Sequence, residues 1–195
     1  MTYSYVTTKS YPASTADHIY IRELLKAMGE ISDCELWVMQ SGQDLGGIKV
    51  IEMKKIFGSR IFGVTRQILL TIFANKISAK RRTFISNDQY ILIILGLLKA
   101  IFRRKYFIVY DAHLLTRSWR DRPSLYFSDK VITTSIVLKD HVQRIIGETK
   151  PVRVVWGGVN RANYLNLAEK EVQNLRVTNG LAAKIIYGYV GGFRS

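Results

Sequence analysis

The chain has 195 residues, of which 48% are hydrophobic and only three are proline. This composition excludes an intrinsically disordered protein, and the length allows one well-packed domain with a large core. Lys and Arg outnumber Asp and Glu by 29 to 15, a net charge of +14 that favours anionic partners.

Cys34 is the only cysteine, which excludes an intrachain disulfide and a zinc site built from several thiolates. The first nine residues lack the charged region and apolar run of a signal peptide. The longest apolar stretch, residues 90–102, is shorter than the roughly 20 residues that span a bilayer. These features favour a cytoplasmic protein that is soluble or lies peripherally on a membrane.

The first third of the chain predicts a strand, a helix and two further strands. Residues 3–8 are rich in β-branched and aromatic side chains, and 10–14 form a turn. Ser14 and Asp17 then have capping-box spacing, ahead of an apolar helical pattern that ends at Gly29. Strands are predicted at 34–40 and 48–53, with a turn at 41–47 between them.

The middle of the chain predicts two apolar helices that alternate with strands. Residues 59–80 have a helical pattern with two apolar faces, which predicts a helix packed on two sides. The first face holds Ile61, Val64, Ile68 and Ile72, and the second holds Phe62, Leu69 and Phe73. A short strand at 83–86, an almost wholly apolar helix at 88–102 and a buried strand at 106–110 follow.

The remaining residues continue this alternation. A polar loop at 114–124 and a helical turn that ends at Asp129 precede a strand at 130–134, a helix at 135–146 and a strand at 152–155. A polar, partly helical connector covers 160–180, and a last strand covers 184–190. The alternation predicts an α/β fold, a Rossmann-like parallel sheet with helices on both faces, whose binding crevice lies at the carboxyl ends of the strands.

Basic residues are concentrated in the middle of the sequence. No acidic residue occurs from Met53 to Asn87. This segment could be a solvated basic face, or it could attach to an anionic membrane, where each cation gains about 1 kcal/mol. Nucleic acid is disfavoured because the aromatic residues lie in strand patterns and are not interleaved with the arginines. The candidate membrane-facing residues are Arg60, Arg66, Lys76, Lys80, Arg81, Arg82, Arg103, Arg104 and Lys105.

Three stretches, at 108–113, 128–139 and 152–160, resemble in this order the amino-terminal domain of a large family of GT-B glycosyltransferases, the family 4 type. Residues 185–192 resemble the first strand and glycine loop of that family's second domain. The resemblance implies an acceptor-side domain at 1–165, a connector at 166–183 and the start of a truncated donor-binding domain at 184–195.

The same resemblance implies a retaining transfer of a hexosyl unit in polysaccharide biosynthesis. The partners would be a nucleotide-sugar donor, which is a co-substrate, and a glycan or lipid-linked acceptor, with no cofactor and no metal. Because a donor-binding half would hold the leaving diphosphate, we expect little transfer by these 195 residues alone. The alternative is a non-catalytic basic α/β module that binds an anionic membrane surface or nucleic acid.

His113 is the candidate catalytic residue, because it directly follows a buried strand and so lies at the rim of the predicted crevice. A histidine there can donate to a sugar hydroxyl or polarise the acceptor, or it can simply cap the loop. The family's loop histidine occupies the matching position, which favours the catalytic role. Asp111 points to the same side of the strand and would either orient His113 or cap the loop.

Five small residues are candidate substrate contacts. Hydroxyl groups and helix amides at a helix start can bind a phosphate or a sugar, or the hydroxyls can act only as caps. The sequence departs from the family at 12–16, where paired glycines are usual, and at Gly157 and Asn160, where the family has Asn and Asp. The candidates are Ser14, Thr15, Ser135, Gly157 and Gly158.

Overall fold

The computed structural model describes residues 2–10, 16–40, 47–74, 82–102, 106–116, 118–155 and 169–180. The strands of this part of the chain are β1 Thr2–Val6, β2 Asp33–Val38, β3 Lys49–Glu52, β4 Arg82–Ser86, β5 Phe107–Ala112, β6 Lys130–Thr133 and β7 Val152–Val154. Its helices are α1 Ala16–Gly29, α2 Arg60–Ala74, α3 Gln89–Phe102, α4 Asp121–Phe127, α5 Ile136–Ile146 and α6 Glu169–Thr178.

The seven strands form one parallel sheet in the order β3-β2-β1-β4-β5-β6-β7. The strand order runs outward in one direction from β1 to β3 and in the other from β4 to β7, so the sheet is doubly wound. The direction changes between β1 and β4, which is where such sheets open a crevice at their carboxyl edge. The predicted Rossmann-like parallel sheet is confirmed.

The sheet has a hydrophobic core on each face. The larger cluster contains residues of α2, α3, α4 and α5, and the smaller one lies under α1. Ile108 and Tyr110 of β5 belong to the larger cluster, whereas Val109 packs against the smaller one. Because side chains alternate along a strand, Asp111 lies on the same face as Val109, toward α1.

Helix α2 is buried on one side. Val64, Ile68 and Ile72 lie in the larger core, as the first apolar face predicts, whereas Ile61 of that face is 39% exposed. The expectation that the second face is also fully packed is wrong, because Phe62 and Phe73 are 59% and 45% exposed, although Phe73 contacts Phe102 at the end of α3. The periodicity identified both faces correctly, but an apolar stripe does not specify what will cover it.

The amino ends of β1, β2 and β4 share a partly buried polar cluster. Arg82 Nη1 donates to Glu35 Oε2 and to Ser4 Oγ, each at 2.6 Å, and Trp37 Nε1 donates to Glu35 Oε2 at 3.2 Å. The Arg82 side chain is only 14% exposed. The prediction that Arg82 faces a membrane is therefore wrong, because pairing with a largely buried carboxylate holds its guanidinium against the sheet.

We expect Glu35→Gln to lower the free energy of unfolding by about 3 kcal/mol, because it leaves the Arg82 charge without its partner. Burial alone would raise the pKa of Glu35, but the hydrogen bond and charge of Arg82 outweigh it and lower the pKa below 4.5. The ion pair therefore stabilises the fold at neutral pH. This stabilisation is lost as the pH falls from about 4.5 through the lowered pKa of Glu35, because the carboxylate then becomes protonated. Urea unfolding of both proteins across this pH range measures the difference.

The control for this prediction is the double variant Glu35→Gln with Arg82→Met, which removes both charges. It should recover part of the lost stability, since a buried pair can often be replaced by uncharged groups. Equal stability of the wild type and of Glu35→Gln at neutral pH would show that the ion pair contributes nothing.

The chain divides into two compact units, Met1–Gly158 and Val159–Ser195. The first unit holds the whole sheet, and α6 is the described helix of the second, within the predicted connector at 160–180. The predicted strand at 184–190 lies outside the described residues. Among the helices that the structure describes, none has the length and apolar character needed to traverse a bilayer.

Candidate active site

A buried carboxylate and a histidine meet at the carboxyl end of β5. His113 Nε2 lies 3.1 Å from Asp111 Oδ2, and the side chains are 23% and 1% exposed, respectively. Two phenol groups donate to the same carboxylate: Tyr5 Oη to Oδ2 at 2.9 Å and Tyr20 Oη to Oδ1 at 3.4 Å. We call these four residues the Asp111 cluster.

Three elements of the first unit build the Asp111 cluster. Tyr5 of β1 is level with Ile85 of β4, which is level with Val109 of β5. The Tyr5 phenol therefore crosses one strand and reaches the carboxylate that follows Val109 on the same face. Tyr20 approaches from α1, and its ring meets the His113 ring edge-on, with centroids 4.6 Å apart.

Hydrogen bonding explains how the Asp111 carboxylate can be buried. A buried charge is costly unless polar groups compensate it, and here two phenol hydroxyls donate to the carboxylate, while His113 Nε2 lies 3.1 Å from it. Burial raises the pKa of Tyr20, and the charge and hydrogen bond of Asp111 raise it further. Tyr20 is therefore a neutral hydrogen-bond donor at physiological pH.

The raised pKa of Tyr20 gives a test of the Asp111 cluster. Asp111→Asn removes the negative charge, so we expect the pKa of Tyr20 to fall toward its ordinary value while burial keeps it above that value. Carbon-13 NMR of the tyrosine ring carbons during an alkaline titration measures the change. Tyr106 is the matched control, since burial and then Asp129 raise its pKa. An unchanged Tyr20 titration would contradict the arrangement.

A second buried carboxylate holds the loop that follows His113. Asp121 accepts hydrogen bonds from the backbone N–H of Thr116 at 3.3 Å and of Ser118 at 3.0 Å. The Gln89 amide, at the start of α3, donates to the same carboxylate and to Tyr110 Oη. The loop is therefore fixed to the scaffold on the opposite face of the sheet from Asp111.

The crevice between β1 and β4 has its own polar group, Asp88. Thr8 Oγ1 donates to Asp88 Oδ2 at 2.6 Å, and the backbone N–H of Tyr90 donates to Asp88 Oδ1 at 3.0 Å. Ser86 Oγ donates to the carbonyl of Val6 at 2.8 Å. These bonds join the two strand ends at the switch point and cap α3, so they shape the floor of the crevice.

Ser135 is the N-cap of α5, as its position before the helix predicts. Its Oγ accepts a hydrogen bond from the backbone N–H of Leu138 at 3.2 Å. Whether it also contacts a substrate stays a prediction. The other four predicted substrate contacts, Ser14, Thr15, Gly157 and Gly158, lie outside the described residues.

Two of the predicted membrane-facing cations, Arg60 and Arg66, are exposed on α2. Arg82 is not, because it is bound to Glu35. The remaining six lie outside the described residues: Lys76, Lys80, Arg81, Arg103, Arg104 and Lys105.

A scan of protein-family models and a search of curated proteins find no match for this chain. Solved structures do match. HepE of Anabaena, determined in complex with UDP-glucose, aligns with a TM-score of 0.67 at 14% identity over 94% of this chain and 50% of HepE. This chain has the fold of one half of a GT-B glycosyltransferase. The predicted fold resemblance is confirmed.

Two further structures support the GT-B assignment. Sucrose-phosphate synthase of Thermosynechococcus elongatus aligns with a TM-score of 0.65 at 12% identity, over 89% of this chain and 52% of the synthase. The lipopolysaccharide outer core galactosyltransferase WaaB aligns with a TM-score of 0.61 at 12% identity, over 82% of this chain and 46% of WaaB. The chain thus spans about half the length of the GT-B structures that it matches.

Sequence reasoning missed Tyr5, Tyr20 and Asp88. Tyr5 lies in a strand and Tyr20 among the apolar residues of α1, where an aromatic residue usually belongs to the core. Asp88 follows the predicted strand at 83–86, so the rule that polar residues at strand ends line the crevice could have found it. No local signal pairs either tyrosine with Asp111, which lies 106 residues from Tyr5 and 91 from Tyr20.

Proposed function

We propose that this domain forms the acceptor side of a retaining GT-B glycosyltransferase, which transfers a hexosyl unit from a nucleotide sugar to a glycan or lipid-linked acceptor in polysaccharide biosynthesis. The observation that carries the proposal is the His113–Asp111 pair, 3.1 Å apart at the carboxyl edge of a sheet with the GT-B fold. The proposed location is the cytoplasm, with peripheral contact to a membrane.

The role proposed for His113 follows from its surroundings. Transfer requires a polar group near the anomeric carbon and an oriented acceptor hydroxyl. His113 is partly exposed at the crevice, whereas its partner Asp111 is buried. The imidazole can therefore hydrogen-bond to a sugar hydroxyl, while Asp111 and Tyr20 fix its ring orientation. Asp111 and Tyr20 act as positioning residues in this scheme.

The donor site is assigned to a second half. Each matched GT-B structure is about twice as long as this chain. We propose that residues 1–165 bind the acceptor, that 166–183 connect the halves, and that 184–195 begin the donor-binding half. Stabilisation of the leaving diphosphate, which needs no metal or other cofactor here, belongs to that half. Robust turnover of a nucleotide sugar by the 195 residues alone would refute this division.

Acceptor binding by the chain itself tests the proposal. Hexose glycosides with short alkyl chains serve as probes in a titration of nitrogen-15 labelled protein, followed by NMR. We expect weak binding that shifts the amide signals of 111–113 and of Ser135, and we expect His113→Ala to remove these shifts. Shifts confined to residues far from the carboxyl edge would contradict an acceptor site there and would favour the alternative, a non-catalytic basic module.

A further inference from the structure

Helices α2 and α3 expose apolar side chains to solvent. On α2, Phe62 is 59% exposed, and Leu70 and Phe73 are exposed on the same face. On α3, Ile101 is 69% exposed, and Leu97 is exposed one turn before it. An exposed apolar helix face is unusual for a folded domain, since burial of such a face is what normally holds a helix on its core.

The two faces form one continuous patch. The rings of Phe73 and Phe102 meet edge-on, with centroids 5.5 Å apart, where the two helices end. A shallow groove of about 510 Å³ follows α2 along its length, from Phe57 before the helix to Phe73 near its end. The α2–α3 surface is defined here as Phe57, Phe62, Leu70, Phe73, Leu97 and Ile101.

The tip before α2 exposes an aromatic ring. Phe57 is 96% exposed and has a φ of 50°, in the left-handed region that side chains other than glycine rarely adopt. Two backbone hydrogen bonds between Ile56 and Ser59 close the tip, at 3.2 and 2.9 Å. A bulky residue held in a strained turn and directed into solvent is typical of a functional contact.

The segment of the sequence that contains α2 and α3 is strongly basic. Between Met53 and Tyr110 the sequence contains 12 basic residues and one acidic residue, Asp88. Asp88 is bound to Thr8 and to the start of α3. The exposed cations of the described chain in this region are Lys54, Lys55, Arg60 and Arg66.

We propose that the α2–α3 surface docks on a membrane that contains anionic lipids, with its apolar side chains in the interface and its cations on the headgroups. The exposed phenylalanines could stack on nucleic-acid bases, but the aliphatic side chains Leu70, Leu97 and Ile101, which make up half of the surface, gain nothing from such a partner. A second copy of this chain would bring together two proteins of net charge +14. A membrane with anionic lipids offers an apolar interior to the exposed apolar side chains of this surface and negative headgroups to its cations.

Vesicle flotation tests this inference with the chain as it is. We expect binding to vesicles of phosphatidylcholine and phosphatidylglycerol in equal amounts, and little binding to phosphatidylcholine alone. Arg60→Gln and Arg66→Gln should each weaken binding about fivefold, and salt should weaken it further. Arg144→Gln, an exposed cation on α5, is the matched control and should change it little.

Two aromatic variants separate docking from misfolding. Phe62→Ser should weaken binding about tenfold, whereas Ile31→Ser, which alters an exposed apolar residue of the turn after α1, should not. Phe57→Gly should weaken binding and yet raise the thermal unfolding midpoint, because glycine accepts the left-handed turn. The inference would be overturned if the protein bound neutral and anionic vesicles equally well, or if Ile31→Ser weakened vesicle binding as much as Phe62→Ser. A dimer or an oligonucleotide complex that depends on Phe62 would also overturn it.

This inference names the surface for the peripheral membrane contact of the proposed function, and it does not depend on the proposed sugar transfer. The α2–α3 surface and the Asp111 cluster lie on opposite faces of the sheet. Loss of vesicle binding in Phe62→Ser should therefore leave glycoside binding at His113 unchanged, and His113→Ala should leave vesicle binding unchanged. Each proposal can fail without the other.

Discussion

His113→Ala is expected to lower kcat for sugar transfer by about 10²–10⁴-fold when this domain is assayed together with a donor-binding half. The imidazole is placed 3.1 Å from a buried carboxylate and against the Tyr20 ring, so its position is set before a substrate binds. Alanine removes the group that we propose hydrogen-bonds near the anomeric carbon. Initial rates of UDP release, or release of another nucleotide, measure the loss.

Two comparisons make this prediction specific. His141→Ala changes a half-buried histidine of α5 and should leave kcat within about twofold. Tyr20→Phe removes one donor to Asp111 but keeps the ring against His113, so we expect a smaller loss of about tenfold. A His113→Ala enzyme that is folded and as fast as the wild type would make the Asp111 cluster a structural feature only.

Gly96→Ala is expected to lower the free energy of unfolding by about 3 kcal/mol, although alanine favours helices over glycine by about 1 kcal/mol. A Cβ at this position of α3 would lie 2.2 Å from Cβ and from Cγ of Phe127 on α4. Since Cβ of Phe127 is fixed to the backbone, no rotamer change can relieve the overlap, and the helices must separate. Chemical unfolding followed by circular dichroism measures the change.

Gly29→Ala is the matched control. Gly29 is the last residue of α1, and a Cβ there would come no closer than 4.0 Å to Ile48. We expect this variant to be at least as stable as the wild type. If Gly96→Ala were equally well tolerated, α3 and α4 would be less closely packed than the structure indicates.

The elements of the first unit were largely predictable from the sequence. Periodicity located all seven strands that the structure describes, since buried parallel strands are short, apolar and bounded by turn residues. The predicted loop at 114–124 is shorter in the structure, because α4 begins at Asp121. Pro123 is compatible with the first turn of a helix, so it does not mark the end of the loop.

The candidate site was predictable only in part. His113 and Asp111 are two residues apart, so the period of two was enough to place them on one side of β5. Their partners Tyr5 and Tyr20 come from β1 and α1. That contact depends on β4 lying between β1 and β5, and a local pattern contains no information about strand order.

The sequence by itself determined the parallel α/β architecture, the histidine at a strand end and the basic middle segment, because each is a property of neighbouring residues. Only the tertiary structure decided which charges and apolar faces are satisfied. Arg82 is paired with Glu35, 47 residues away, while Arg66 is exposed, although both are cations of the same basic segment. The physical reason is that burial and pairing depend on distant residues that the strand order brings together.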